Sequence, residues 1–433
     1  MKTKLFITAI YVLFNLRVNA QVMFQKTYGG SADIEATHSV VQAPDNGYIM
    51  AGVTKSFGAG GWDVCLAKTD SMGVIQWSTA IGGLLEDYCF AVERTYDDNY
   101  VIAGYTKSAG AGEADALLLK VDPAGNLLWA KTWGGLQDDG FFSVEQTSDG
   151  GFILLGWTSV FGFPNDEAYL VKTDSAGNTE WTKTYGGIAS DVGESVIQTS
   201  EGGFLLAGHT YSFGVSGEEG YVIKTDAAGN LLWSKTYGAI SDEVFYAVKE
   251  LAANNGYILL GTTNSFTSGD NDIWLTKIDL TGNVVWSQKY SGSANHYDSG
   301  FSLDIKSNNE FLIAGPSTSF GAGDNNACLL CTDTSGIIIW SQIYGPSSPD
   351  QVRSCKQTSD GGCILAGYTE YNTGAGLGNF FSLKPMAQVT ADVTKQMPLL
   401  SLPRQTLFSL MWPHRIHPEA YPASLRFLLH LMD

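Results

Sequence analysis

A seven-bladed β-propeller with four antiparallel strands per blade is predicted by three features of this 433-residue chain. The first is a phrase of the form W-x-K-T-Y-G-G, whose tryptophan recurs at Trp77, Trp129, Trp181, Trp233, Trp286 and Trp340, at intervals of 52 to 54 residues. Phe24 opens a seventh copy of the phrase, 53 residues before Trp77. A fixed period of this length marks a duplicated supersecondary unit, and about 50 residues suits one four-stranded blade. The second feature is the absence of helical periodicity: apolar runs are short and end at Gly, Asn, Asp or Ser. The third is the complementarity of the ends. The repeats begin with a lone last strand at 22–28 and finish with three strands at 352–358, 363–369 and 380–384. Pairing the one with the three completes a last blade and closes the ring without exposed inner edges.

The copy at 193–237 shows how one unit is written. Residues 195–199 are β-prone and lead into Ser200-Glu201-Gly202-Gly203, a hairpin turn rich in residues that tolerate positive φ. The second strand, 204–208, breaks at Ser212-Phe213-Gly214, and the third follows at 221–225. Asp226-Ala227-Ala228-Gly229-Asn230 then supplies a side-chain-to-backbone turn, and 231–235 form the fourth strand.

Outside the repeats, residues 1–20 carry Lys2 and Lys4, an apolar stretch and Val18-Asn19-Ala20, the pattern of a secretory signal peptide cleaved before Gln21. A secreted, periplasmic or cell-surface location follows, and no other segment is long and apolar enough to span a bilayer. The propeller body is assigned to 21–385. Residues 386–433 contain no glycine and none of the repeat phrases, and are expected to be a disordered tail. The chain carries a formal charge of −19, with the basic ends leaving −23 on the body. Such a body repels phosphate backbones, which excludes nucleic acid as a partner. A monomer is expected.

Six cysteines in an exported chain raise the question of disulfides. Folding the last hairpin about residues 359–362 pairs Thr358 with Cys363 and sets Cys355 opposite Ala366, so those two should not bond. Cys328 and Cys331 point to opposite faces of one strand, and Cys65 and Cys89 fall in neighbouring blades. Buried free thiols are the expectation.

Two columns of the aligned repeats fall on the face where propeller loops gather. One is acidic in every copy: Glu35 (or Asp33), Asp87, Asp139, Asp191, Glu243, Asp298 and Asp350. Something every blade needs explains it best, such as accepting loop N–H bonds. Divalent-cation binding is the minority reading, with Asp87, Asp139, Asp191 and Asp350 as oxygen ligands and calcium as the ion. A second acidic column, Asp63, Asp115, Glu167, Glu219 and Asp272, opens the third strand of five units and becomes Asn326 and Asn379 in the last two. The other ring position varies: His38, Phe90, Phe142, Glu194, Tyr246, Phe301 and Arg353. Variation on a repeated frame is where specificity can be written, and these side chains around a channel mouth could stack on sugar rings and bind hydroxyls. The competing reading is that they only plug the blade interfaces.

Catalytic signatures are sparse. Only Arg94 and Arg353 lie within the body, too few for a sialidase-like triad of arginines. His38, His209 and His296 fall in different blades without metal-ligand spacing. No nucleophile elbow or phosphate loop occurs.

The stretch Lys172-Thr173-Asp174-Ser175-Ala176-Gly177-Asn178-Thr179-Glu180-Trp181 resembles the tryptophan-docking motif of quinoprotein dehydrogenase propellers, one residue shorter between Asp and Gly. The eight blades, cysteine pair and insertions of those enzymes are missing, so the resemblance implies a way of fastening blades and no cofactor. Residues 21–385, with phrases such as Gln146-Thr147-Ser148-Asp149-Gly150-Gly151-Phe152, resemble exported β-propeller repeat proteins of Bacteroidota-type bacteria, which are largely uncharacterised. The combined expectation is a non-catalytic binding or scaffold protein that engages a glycan or protein at the channel mouth. A carbohydrate-active enzyme using Glu194 and an aspartate on the same face is the alternative.

Overall fold

The computed structural model describes residues 24–29, 35–159, 165–215, 217–265, 271–291, 297–320, 325–344 and 350–369, together with the backbone alone of 379–384. The signal peptide at 1–20, the tail at 386–433, Asp33 and His296 lie outside the described residues.

The described chain is β throughout, apart from one 3-10 turn at Ala252–Asn254. A first strand, β1 (Phe24–Tyr28), is followed by six blades of four consecutive strands each. They are β2 to β5 (Glu35–Gln42, Tyr48–Thr54, Asp63–Thr69, Ile75–Ile81), β6 to β9 (Asp87–Arg94, Tyr100–Thr106, Asp115–Val121, Leu127–Trp133) and β10 to β13 (Asp139–Gln146, Phe152–Thr158, Glu167–Thr173, Thr179–Tyr185). Then come β14 to β17 (Asp191–Gln198, Phe204–Thr210, Glu219–Thr225, Leu231–Tyr237), β18 to β21 (Glu243–Glu250, Tyr257–Thr263, Asp272–Ile278, Val284–Tyr290) and β22 to β25 (Ser302–Ile305, Phe311–Ser317, Asn326–Thr332, Ile338–Tyr344). The chain ends its strands with β26 (Asp350–Gln357), β27 (Cys363–Thr369) and β28 (Asn379–Lys384).

The expectation of seven blades is corrected here: six blades are built, each from four consecutive strands, and the remaining four-stranded sheet is a composite, in the order β1-β28-β27-β26. Its registers run from Phe24 opposite Lys384 to Tyr28 opposite Phe380. Equivalence also fails in the sixth blade, where the inner strand β22 is only four residues long and its entry is reduced to an isolated bridge between Asp298 and Ser317. The side-chain packing of β28, on which the expected ring closure would rest, is not described.

In each of the six blades the two middle strands are buried along nearly their whole length, whereas the outermost strand alternates between exposed and half-buried. The repeated phrase explains how one blade grips the next. The Trp77 ring occupies the space beside Gly125 in the neighbouring blade's third-to-fourth-strand turn, so that a Cβ there would lie 2.8 Å from it. The same contact joins Trp129 to Gly177, Trp181 to Gly229, Trp233 to Gly282 and Trp286 to Gly336. The tyrosine of the phrase finishes the clasp: Tyr185, Tyr237 and Tyr290 donate to the carbonyls of Gly229, Gly282 and Gly336 at 2.6 to 2.7 Å. In β1, Phe24 lies against Gly73 and Tyr28 donates to its carbonyl, so the composite sheet uses the same device.

Lysines buried in the third strand pair with half-exposed acids of the first turn: Lys68 with Asp45 at 2.7 Å, Lys120 with Asp97 at 2.8 Å and Lys172 with Asp149 at 2.9 Å. All six cysteines are buried free thiols. The register of the last hairpin differs by one residue from the sequence expectation, with Gln357 opposite Cys363 and Cys355 opposite Leu365. The cause is the turn, in which Thr358 N–H bonds Gly362 and so belongs to the loop.

Candidate functional site

The inner strands neighbour one another in the order β2, β6, β10, β14, β18, β22, β26, with β26 also beside β2. On six of them the variable residue is the extra residue of a β-bulge. Thr37 pairs with Gly52 and Ser39 with Ala51, leaving His38 unpaired between them. Phe90, Phe142, Glu194, Tyr246 and Arg353 occupy the same gap. Phe301 sits equivalently, its N–H bonding Ala314 while Ser302 is the residue opposite Ala314. A bulge re-aims the extra side chain and increases local twist. It also brings the inner strand against the second strand, where each unit has a glycine: a Cβ at Gly52, Gly104 or Gly156 would lie 1.9 Å from a carbonyl oxygen of the inner strand. The A-G and L-G dipeptides of the repeats are therefore the sequence mark of the bulge.

All seven of these variable residues line one cavity of about 310 Å³, and all seven also line a channel cavity of about 500 Å³. They touch around its rim. His38 stacks on Phe90 at 5.5 Å, Phe90 meets Phe142 edge-on at 4.8 Å, Tyr246 meets Phe301 at 4.9 Å, and the Arg353 guanidinium lies 4.5 Å from the Phe301 ring centre.

The rim has two unlike sectors. Over β6 to β11 it is aromatic, extended by second-strand residues that the sequence reading passed over: Trp157 packs on Phe142 at 4.5 Å, and Tyr105 stacks on Tyr88 at 5.0 Å. Trp157 can lie down because its partner Gly140 has no side chain; a Cβ there would come within 2.1 Å of the indole. Over β14 and β15 the rim is acidic. Imidazole Nε2 of His209 lies 3.1 Å from a Glu218 oxygen, and its Nδ1 lies 3.9 Å from Glu194. Burial, reinforced by the charge of Glu218, pushes the Glu194 carboxyl up to about 8, against the pull of Arg353. Burial lowers His209 to about 4. At neutral pH Glu194 is thus a carboxylic acid beside a neutral imidazole. His38 is also lowered to about 4 by burial, and because the Cys89 carbonyl 2.7 Å from its Nδ1 can only accept, Nδ1 carries the proton.

The repeated acids turn inward to the frame. Asp87 accepts from the Gly83 N–H at 2.8 Å, the Ser108 hydroxyl at 2.8 Å and the Thr106 hydroxyl. Asp191 does the same with Gly187, Ser212 and Thr210. Asp139 takes the Gly135 N–H at 3.0 Å, and Asp350 bonds the Thr369 side chain. Asp63, Asp115 and Glu219 hold N–H groups of the loop between the second and third strands. These bonds fasten the loops that frame the mouth. Among the described residues no group of three or more His, Cys, Asp and Glu is arranged to hold a metal ion.

A further ring lies three residues along each inner strand and was not anticipated. Val41, Glu93, Glu145, Ile197, Lys249 and Lys356 line the channel cavity, and Asp304 holds the equivalent place on β22. Aligning the copies at this offset would have exposed it, but charged residues there look like an ordinary solvated strand face.

The bulged inner strands around one cavity define the chain as a β-propeller with a differentiated channel mouth. No protein-family model matches it. The regulatory protein FlaEY of Caulobacter vibrioides is 24% identical over 204 residues, 41% of this chain and 21% of that protein, so the match spans about a fifth of the relative's length. Among solved structures, Raptor of Chaetomium thermophilum superposes with a TM-score of 0.50 at 10% identity, over 84% of this chain and 30% of Raptor. A protein of unknown function from Bacteroides caccae gives 0.40 at 14% identity, over 68% of this chain and 93% of that one. A catalytically inactive virginiamycin B lyase from Staphylococcus aureus, with quinupristin, gives 0.43 at 10%, over 84% and 100%. The likeness is one of fold, and the expected kinship with exported Bacteroidota-type propellers extends no further. Among the described residues no helix is long and apolar enough to cross a membrane.

Proposed function

We propose that this chain is a non-catalytic, exported binding propeller that takes a glycan at its channel mouth. The observation that carries the reading is the pairing of two sectors in one cavity: an aromatic shelf of Phe90 and Phe142, backed by Trp157, beside hydrogen-bonding groups at Glu194 and Arg353, with His209 next to Glu194. A sugar ring presents an apolar face that stacks on aromatics and hydroxyls that pair with such groups. Screening the purified chain against a glycan array, with and without calcium, tests it. Binding that is lost in Phe142→Ala and Tyr246→Ala supports the reading and places the ligand at the rim. A protein ligand, or none, is indicated by an array without hits.

A carbohydrate-active enzyme is supported by one feature, the Glu194 acid held protonated near neutral pH beside His209. Such a group suits proton donation to a leaving oxygen. Glu194→Gln should then abolish turnover of any bound glycan while sparing its binding.

A further inference from the structure

The narrow part of the channel, inside the mouth, has its own chemistry. In the ring order of the inner strands, Glu93 and Glu145 are adjacent, and Lys249 and Lys356 flank Asp304 on the opposite arc, with Val41 and Ile197 separating the two groups. The carboxylates are positioned by the frame: Glu93 accepts the Gln146 N–H at 3.2 Å, Glu145 the Gln198 N–H at 3.1 Å and Asp304 the Gln357 N–H at 2.6 Å. Each bond consumes one oxygen and ties one blade to the next. Lys249 and Lys356 make no hydrogen bond or ion pair within 4.0 Å among the described residues, although carboxylates face them across the lumen. The two ammonium groups share the single carboxylate of Asp304 between them, and the Lys356 charge, with burial, lowers the Lys249 pKa against the opposing pull of Asp304, Glu145 and Glu93. On the other arc, burial and the charge of Glu145 raise Glu93 to about 7, against the pull of the Gln146 N–H, Lys356 and Lys249. Between the mouth and this ring the wall is made of small residues, Ser39, Ser143, Ser195, Ser302 and Ser354 among them, which leaves the cavity of about 500 Å³ open along its length.

One arc thus carries two carboxylates and the other two ammonium groups around one carboxylate, and a ligand bearing the opposite charge at each end complements the excess on both. We infer that the channel is a second binding site, for a small zwitterion whose ammonium group pairs with Glu93 and Glu145 and whose carboxylate pairs with Lys249 or Lys356, the cations on either side of Asp304. The site lies in a cavity that the mouth residues also line, but it uses other side chains and does not rest on the glycan reading. The ligand class is an amino acid in the broad sense, with its two charges set apart by the width of the lumen.

Isothermal titration of the full chain at pH 7 with a series of α,ω-amino acids, from glycine upward in chain length, measures that width directly. The expected result is an affinity that peaks at one length, at least about tenfold tighter than the alkylamine and the alkylcarboxylate of the same length, equal to about 1.4 kcal/mol. Glu145→Gln, which retains an oxygen for the Gln198 N–H, should weaken that member tenfold or more, as should Lys249→Met. Equal affinity for the singly charged compounds, a peak that survives both substitutions, or no binding by any member overturns the inference. Circular dichroism on each variant separates loss of a ligand contact from loss of the fold; should Lys249→Met not fold, Glu145→Gln alone decides.

Discussion

The seam between blades and the wall of the channel are built from the same repeat, yet they follow opposite rules. At the seam the chemistry is largely repeated: in five blades a tryptophan lies beside a turn glycine, and in three of these a tyrosine hydroxyl also caps that glycine's carbonyl, Ile81 and Trp133 taking its place in the other two. At the wall each copy differs, with a histidine, a glutamate, an arginine and four aromatics at the bulge and a charge pattern three residues deeper. What repeats is what the frame needs, and what varies is free to meet a ligand.

The contrast breaks most forcefully at the glycine that permits the bulge. Gly156→Ala places a methyl group 1.9 Å from the Gly140 carbonyl oxygen, and because the clash is with backbone it should cost about 3 kcal/mol or more in urea unfolding. Next comes the seam itself: Trp129→Ala removes the indole that packs beside Gly177 and on Phe152 and should cost about 3 kcal/mol by the same measurement. A retained midpoint would mean that the clasp is ornamental.

The wall yields smaller effects on stability. Glu194 is protonated in the folded chain up to about 8, whereas its ordinary value is 4.5. The folded state then holds the extra proton between those two values, so stability should fall as pH rises through that window, by on the order of a few kcal/mol. Glu194→Gln should flatten that decline in pH-dependent unfolding. His209 and His38, both lowered to about 4, act oppositely, adding stability as pH rises from about 4 to 6.5. Smallest of all, Phe142→Leu should change stability by less than about 1.5 kcal/mol while weakening any ligand stacked on the shelf. A large loss of stability there would make the rim residue part of the frame and blur the comparison.

The frame was legible because its demands are local and repeated. The turn phrase Asp-x-x-Gly-Asn reads as a turn in any copy, and Asp122, Asp174 and Asp226 do bond the N–H groups two and four residues on. The seven bulge residues were found by alignment, since a position that varies within a constant phrase stands out. Their neighbours were not. Tyr105, Trp157 and His209 belong to a second strand whose apolar run reads as uniform core, and only the bulge, which turns the inner strand aside, brings them to the rim. The deeper charges were missed for a similar reason: Glu93 and Lys249 are far apart in sequence and acquire meaning only when the inner strands are set side by side. The number of blades was overestimated because the phrases record the seam, and the seam is the part that the composite sheet imitates best.

The unpaired backbone position under each rim side chain also bears on how such a molecule could change over time. A residue with no cross-strand partner can be exchanged without disturbing a ladder, and its counterparts on other inner strands impose no register on it. Duplication copies the scaffold wholesale, and later drift rewrites one letter per copy. The rim then behaves as a short, independently editable word, and a library randomised at those positions alone would sample new specificities with the scaffold left intact.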